Sequence, residues 1–217
     1  MIFLNVPFAE KDEVKTLGAR WDAEYQSWFI PRGLSWEKIQ ALSRWIPAVQ
    51  KIVGEDRSFM GNRLFVDPVP ESCWFKNIRS EVTKEYWDDI RRIVYRRARH
   101  KCEICGAGRD AKEGRYIEAH ERWSYDDKSG IQKIMRLVAL CSDCHLVTHF
   151  GFARINGLEE KAFAHLMNVT GMTATQADEH IEEAFELWKK RSKREWKLDL
   201  SILTDSGIHL IDKAPQG

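Results

Sequence analysis

Alternating and amphipathic runs in the first 50 residues predict a small strand-helix-strand-helix domain at residues 1–50. The strands are short apolar stretches that each end at a proline, and the helices carry apolar side chains at helical spacing. The predicted strands cover residues 2–6 and 27–30, and the predicted helices cover residues 10–17 and 36–45.

Residues 51–71 lose this periodicity. Gly54, Gly61 and Pro68 interrupt them, which is typical of connecting segments. We therefore predict a linker here and a larger domain over residues 72–217.

Helical periodicity returns in the larger domain. It predicts one helix at residues 83–100 and two more, 158–169 and 175–196, within residues 158–197. The apolar-polar alternation after them predicts a short terminal strand, and residues 213–217 are expected to be loose.

Basic residues crowd the second half of the first of these helices, whereas its acidic residues stay in the first half. This gradient complements the helix dipole, and it equally suits a ridge that faces phosphates. The predicted nucleic-acid-binding residues at this end of the helix are Arg91, Arg92, Arg96, Arg97 and Arg99.

Composition narrows the class of protein. The 217 residues are 43% hydrophobic with a net charge of +1, so a real core is expected and overall charge neither demands nor excludes a nucleic-acid partner. No apolar run approaches the roughly 18 residues that span a bilayer, and no signal sequence is evident. We expect a soluble cytoplasmic protein without a membrane partner.

Four of the five cysteines form two CxxC pairs, which favours a metal site in a reducing compartment over disulfides. Cys73 is left over and is expected to be a small buried residue. The paired residues, predicted to bind structural Zn²⁺, are Cys102, Cys105, Cys141 and Cys144.

Histidines next to the second pair exceed what one tetrahedral zinc needs. His145 and His149 are four residues apart, so on a helix they share one face. The 35 residues between the pairs hold two strand-like runs, 116–121 and 135–140. His120, near the end of the first run, can point into the same pocket.

The N-terminal residues carry a resemblance to a known domain. Leu4–Phe8, Glu10–Asp12, Leu17–Asp22 and Trp28–Gly33 resemble, in this order, the small domain of unknown function attached to plasmid DNA primases. The resemblance covers residues 2–46 and does not settle a biochemical role.

Residues 99–150 resemble the HNH, or ββα-metal, endonucleases, in the strand that ends in histidine and in the Cys141–His149 segment. The wider sequence is similar to an uncharacterised bacterial branch of that family. The resemblance implies an α+β fold in which the small N-terminal domain precedes a zinc-stapled ββα-metal core surrounded by helices.

The resemblance also implies roles for single residues. His120 corresponds to the general base, and His145 and His149 to ligands of a catalytic ion, Mg²⁺ or another divalent ion such as Mn²⁺, Ni²⁺ or Zn²⁺. The family's ligand before the base is replaced by Ala119, so Glu121 is the expected substitute, as a catalytic residue and metal ligand.

The family's asparagine falls near Arg136, which is suited to contact phosphate instead. Asp126 and Asp127 are further candidate ligands.

The resulting hypothesis is a metal-dependent endonuclease that hydrolyses DNA phosphodiester bonds, in defence or in the life cycle of a mobile element. The alternative is a catalytically inactive zinc-dependent nucleic-acid-binding or adaptor protein. The form of the nucleic acid, its sequence and the oligomeric state stay open.

Overall fold

The computed structural model describes residues 1–212; the segment 213–217, expected to be loose, lies outside them. Two small sheets and a set of helices give a mixed α+β architecture. The strands are β1 (Ile2–Leu4), β2 (Arg20–Asp22), β3 (Ser27–Ile30), β4 (Ile117–Asp126), β5 (Ile131–Cys141) and β6 (Lys197–Asp199). The helices are α1 (Lys11–Thr16), α2 (Trp36–Leu42), α3 (Ile78–Glu81), α4 (Lys84–Arg97), α5 (Ser142–Thr148), α6 (Phe150–Ile155), α7 (Glu159–Thr170), α8 (Ala174–Arg191) and α9 (Ser201–Thr204). No helix within residues 1–212 is long and apolar enough to cross a membrane.

The N-terminal unit is an antiparallel sheet in the order β1-β3-β2, covered by α1 and α2. Its core contains Leu4, Val14, Leu42 and Trp45, all nearly inaccessible to solvent. Strand β2 was not predicted, because its three residues alternate charged and aromatic side chains and read as a turn.

The larger unit is built on the long β4–β5 hairpin, whose two faces bury different clusters. Val138 and Leu140 face α5, α7 and α8, whereas Leu137 and Ala139 face α4. Strand β6, predicted as a short terminal strand, pairs parallel to the start of β5.

Residues 55–67, which we call the strap, correct the expectation of a simple linker. They contain no helix or strand, as predicted, but they pack on the larger unit. Leu64 and Val66 are buried in the cluster under α5. The Asp56 N–H donates to the Met135 carbonyl at 2.9 Å. Backbone contacts of this kind follow no periodicity and leave no sequence pattern.

Candidate functional site

Four cysteines converge at the end of β5. The sulfur atoms of Cys102, Cys105, Cys141 and Cys144 all lie within 4.8 Å of one another, and none of the five cysteines forms a disulfide. Gly106 closes the first CxxC turn with a φ of 75°, a conformation that favours glycine. These residues are positioned to bind a metal ion, with the donor set of a structural zinc site.

The second CxxC pair also starts helix α5. Cys141 is its N-cap, and its sulfur accepts a hydrogen bond from the Cys144 N–H at 3.5 Å. The cysteine group therefore fixes the first turn of α5. It thereby also fixes the direction in which the side chain of His145, the residue after Cys144, projects from the helix.

Three histidines meet beside the cysteine group. Candidate ligand nitrogens of His120, His145 and His149 lie within 4.8 Å of one another. Their ring centroids are 4.6 to 5.2 Å apart, and the rings pack edge to face. His149 stays in register because its N–H donates to the His145 carbonyl at 3.0 Å. The predicted convergence of strand and helix histidines is thus present in the structure.

Burial keeps two of these imidazoles neutral. It lowers the pKa of His149 to about 4, helped by the neighbouring His145. Burial also lowers the pKa of His120 well below its usual value, and the other two histidines add to the effect. The Nε2 atom of His120 is buried and has no hydrogen-bond partner among the described residues. Neutral imidazoles with free nitrogens are the form that binds a metal or accepts a proton.

An acid that the sequence analysis missed orients one histidine. The carboxylate of Glu118 lies 3.1 Å from Nδ1 of His145, and this hydrogen bond lowers the pKa of Glu118. Glu118 lies two residues before His120, hence on the same face of β4. That spacing is the signal that could have found it. A carboxylate behind a histidine fixes the tautomer that leaves the other nitrogen free.

Glu121, expected as a ligand, does not join the histidines in this structure. It follows His120 directly, and the bulge in β4 comes only after Arg122, so its side chain points to the opposite face. There its carboxylate accepts a hydrogen bond from the Ile78 N–H at 3.2 Å, at the start of α3. Burial raises its pKa, and that hydrogen bond opposes the shift. Asp126 and Asp127 lie at the far end of the hairpin, where Asp126 accepts a bond from the Lys128 N–H.

The strap contributes a second acid that the sequence did not reveal. A carboxylate oxygen of Asp67 lies 3.9 Å from Nε2 of His120, and both side chains are almost fully buried. Burial raises the pKa of Asp67 to about 6, whereas Arg122 and Arg191 lower it. Asp67 is therefore a buried acid that faces the histidine group.

Two arginines predicted to bind nucleic acid are instead structural. Arg136 is 1% exposed at its side chain and bonds the Glu103 carboxylate at 2.9 Å. Arg97 forms a two-pronged ion pair with Glu55 and donates to the Leu137 carbonyl at 2.7 Å. Both charges are paired with acidic residues inside the larger unit, so the structure gives these two arginines a structural role in place of the predicted one.

Two other arginines of the predicted set contact the N-terminal unit. The guanidinium of Arg96 is buried and lies 4.1 Å from the centre of the Phe3 ring. Arg99, just past the helix, pairs with Glu24 at 3.0 Å. Arg96 and Arg99 therefore help to join the two units.

Only one arginine of this set reaches the histidine site. Arg91 pairs with Asp88 at 2.7 Å and lines the groove that opens over the three histidines. Arg92 lies 3.8 Å from Asp89 and does not line it.

A groove of about 1290 Å³ opens over the histidines. It is lined by the three histidines, by basic side chains from α3, α4, α6 and the segment before α3, and by aromatic side chains from several elements. Four acids also line it: Asp67, Asp88, Glu118 and Glu121. The site is thus accessible to an extended ligand.

Comparison with known proteins concerns the N-terminal unit. Residues 1–47 match the family model "Domain of unknown function (DUF5710)". This match agrees with the small domain of unknown function predicted over residues 2–46.

Two curated relatives, both named DNA primase TraC from Escherichia coli, are similar to this chain. One is 62% identical over 32 residues, which are 15% of this chain and 3% of the relative. The other is 37% identical over 70 residues, which are 32% of this chain and 4% of the relative. The chain thus spans only 3–4% of the length of the curated relatives it matches. No solved structure matches the chain. The HNH relationship stays a prediction.

Proposed function

We propose that this protein is a metal-dependent endonuclease of the HNH type that hydrolyses DNA phosphodiester bonds. The observation that carries the proposal is the convergence of His120, His145 and His149 beside a four-cysteine group, at the floor of an open groove. Similarity of the N-terminal unit to proteins named DNA primase favours DNA as the substrate.

The donor set fits a divalent ion. Burial keeps the imidazole of His149 neutral, which is the form that binds an ion. Nε2 of His120 has no hydrogen-bond partner among residues 1–212 and is free to accept a proton. The carboxylate of Glu118 orients the ring of His145 through the contact at Nδ1. Imidazole nitrogens suit Ni²⁺ or Zn²⁺ better than Mg²⁺, which prefers oxygen ligands.

In this proposal His145 and His149 hold the ion. Once bound, it supplies Lewis-acid stabilisation of the charge that develops on the scissile phosphate. His120 takes the proton from the attacking water, and its neutral imidazole is in the correct state to do so. Asp67, 3.9 Å away, stabilises the imidazolium that results.

Supercoiled plasmid is incubated with the purified protein and Mg²⁺, Mn²⁺, Ni²⁺ or Zn²⁺ to test the proposal. We expect nicking with at least one ion, and a loss of at least about 100-fold in His120→Ala, from general-base catalysis. His145→Ala and His149→Ala should lose both cleavage and binding of the second ion. The matched control is His209→Ala, an exposed histidine outside the groove. Absence of cleavage of both supercoiled plasmid and single-stranded DNA with every ion, or full activity of His120→Ala, rules the nuclease out.

The placement of Glu121 favours a second candidate, a zinc-dependent nucleic-acid-binding protein without catalysis. With Ala119 beside the base and Glu121 on the opposite face, the expected extra ligand is missing. One tightly held zinc per chain, with no second ion bound at the histidines, would support that function instead.

A further inference from the structure

Aromatic side chains line the groove together with the histidines. Trp74 and Phe152 are 52% and 61% exposed, although both border the groove. Exposed apolar side chains gathered at one cavity are a common mark of a ligand-binding surface. Neither residue has a role in holding the metal or in the proposed proton transfer.

Trp74 is held in place before any ligand arrives. Its indole N–H donates to the Val69 carbonyl at 3.0 Å. Its ring stacks on Trp188, with centroids 6.2 Å apart and planes at 8°. A ring fixed in this way loses little conformational entropy when a flat ligand stacks on it.

Basic side chains line the same groove. Lys84 and Arg91 share the single carboxylate of Asp88, at 2.9 and 2.7 Å, so together they keep an excess positive charge. Arg79 is exposed and forms no ion pair with any residue in the described part of the chain. Arg79, Lys84 and Arg91 therefore offer positive charge for phosphates, although Asp67, Glu118 and Glu121 also line the groove. The exposed rings offer a flat apolar surface.

This combination fits a strand whose bases are unpaired. In a duplex the base faces are stacked on each other, so rings beside the phosphate path have nothing to stack on. In an unpaired strand every base presents a face, and proteins that bind such strands combine a basic groove with aromatic side chains. We propose that the groove binds DNA through an unpaired stretch, with bases stacking on Trp74 and Phe152 and phosphates meeting Arg79. The proposal rests on the nuclease function above and names its substrate class.

Binding is measured by fluorescence anisotropy without added Mg²⁺, Mn²⁺ or Ni²⁺, using full-length protein in its zinc-loaded form. The probes are a labelled oligothymidine, a duplex of equal length and a forked duplex. We expect the single strand and the fork to bind at least about tenfold more tightly than the duplex. Trp74→Ala and Phe152→Ala should each weaken single-strand binding by roughly 5-fold or more, since one stacked base is lost. Duplex binding should change less than twofold.

Further variants separate stacking from folding and from charge. Trp74→Phe keeps a ring and should bind within about threefold of the parent, which excludes misfolding as the cause of the alanine effect. Arg79→Gln should weaken all probes alike and reduce the salt dependence of binding by about one phosphate contact. Phe8→Ala is the matched control, because Phe8 is 82% exposed but lies on the N-terminal unit, outside the groove.

The outcomes distinguish this inference from the proposed function. Equal or tighter binding of the duplex, or an unchanged affinity in Trp74→Ala and Phe152→Ala, overturns the substrate class. If the protein nicks duplex plasmid at full rate in Trp74→Ala, the nuclease stands and the unpaired-strand inference fails. If the single-strand preference is present but no ion supports cleavage, the inference about binding stands and the nuclease fails.

Discussion

The hydrogen bond between Glu118 and His145 decides how well one imidazole can hold an ion. The Glu118 carboxylate accepts a hydrogen bond from Nδ1–H of His145, which leaves Nε2 of His145 free to coordinate an ion. We expect Glu118→Gln to weaken binding of Mn²⁺ or Ni²⁺ at the histidines by roughly 10- to 100-fold. Isothermal titration of the zinc-loaded protein measures this. Glu160→Gln, an exposed glutamate on α7, should leave the affinity unchanged. Equal affinity in the Glu118 variant would mean that this contact does not serve the metal.

Burial raises the pKa of the Asp67 carboxyl from 3.8 to about 6. The folded protein therefore favours the protonated carboxyl, and this contribution to stability is lost as the pH rises through about 6. Between pH 5 and 7.5 the parent should lose on the order of 1 kcal/mol relative to Asp67→Asn. Urea unfolding of both proteins at the two pH values measures the difference. Cleavage should nevertheless fall in Asp67→Asn, because the imidazolium of His120 loses its nearby charge. A difference in stability that does not vary with pH would show that Asp67 is ionised in both states.

At the scale of elements, the strap is held to the β hairpin by buried charge. Glu55 is 4% exposed at its side chain, pairs with Arg97 and also accepts the Leu137 N–H at 2.7 Å. Glu55→Gln should cost about 3 kcal/mol or more, because the charge of Arg97 is left without its partner. The control is Glu13→Gln, which breaks an exposed ion pair with Arg44 and should cost about 1 kcal/mol or less. Urea unfolding compares the two, and similar small losses would show that the strap is only loosely attached.

The strap also shows which elements the sequence could predict. Helix α4 and the β hairpin follow from hydrophobic periodicity, and the histidine group follows from the i, i+4 spacing of His145 and His149 on α5. Arg97 was assigned to nucleic acid from the basic run of its helix, and Arg136 from its place in the family pattern. Their acidic partners lie 42 and 33 residues away in sequence, so the pairing was not visible. Long-range polar pairs have no periodic signature, so neither the strap nor these pairs could be predicted.

At the scale of the whole molecule, the two units are joined through polar contacts on one side of α4. The Asn5 amide donates to Asp89 at 2.5 Å, and the His100 ring contacts the Tyr25 carbonyl at 3.0 Å. Together with Arg96 on the Phe3 ring, these contacts join the N-terminal unit to α4 and to the turn that follows it. The histidine groove opens elsewhere, so the N-terminal unit is placed beside the site and does not form it.

The cysteine group should control the stability of the larger unit, because it ties the turn at Cys102 to the junction of β5 and α5. Its four sulfur atoms come from two segments 36 residues apart, and a bound ion links them. Cys102→Ser should therefore release about one zinc per chain and lower the thermal midpoint by at least about 5 °C. Binding of an ion at the histidines should be lost as well, because α5, which carries His145, begins inside the cysteine group. Cys73→Ala is the matched control, since Cys73 is equally buried but lies outside the group. Metal content by mass spectrometry and unfolding by circular dichroism measure both variants. A stable Cys102→Ser protein that retains its zinc would show that this group does not hold the fold together.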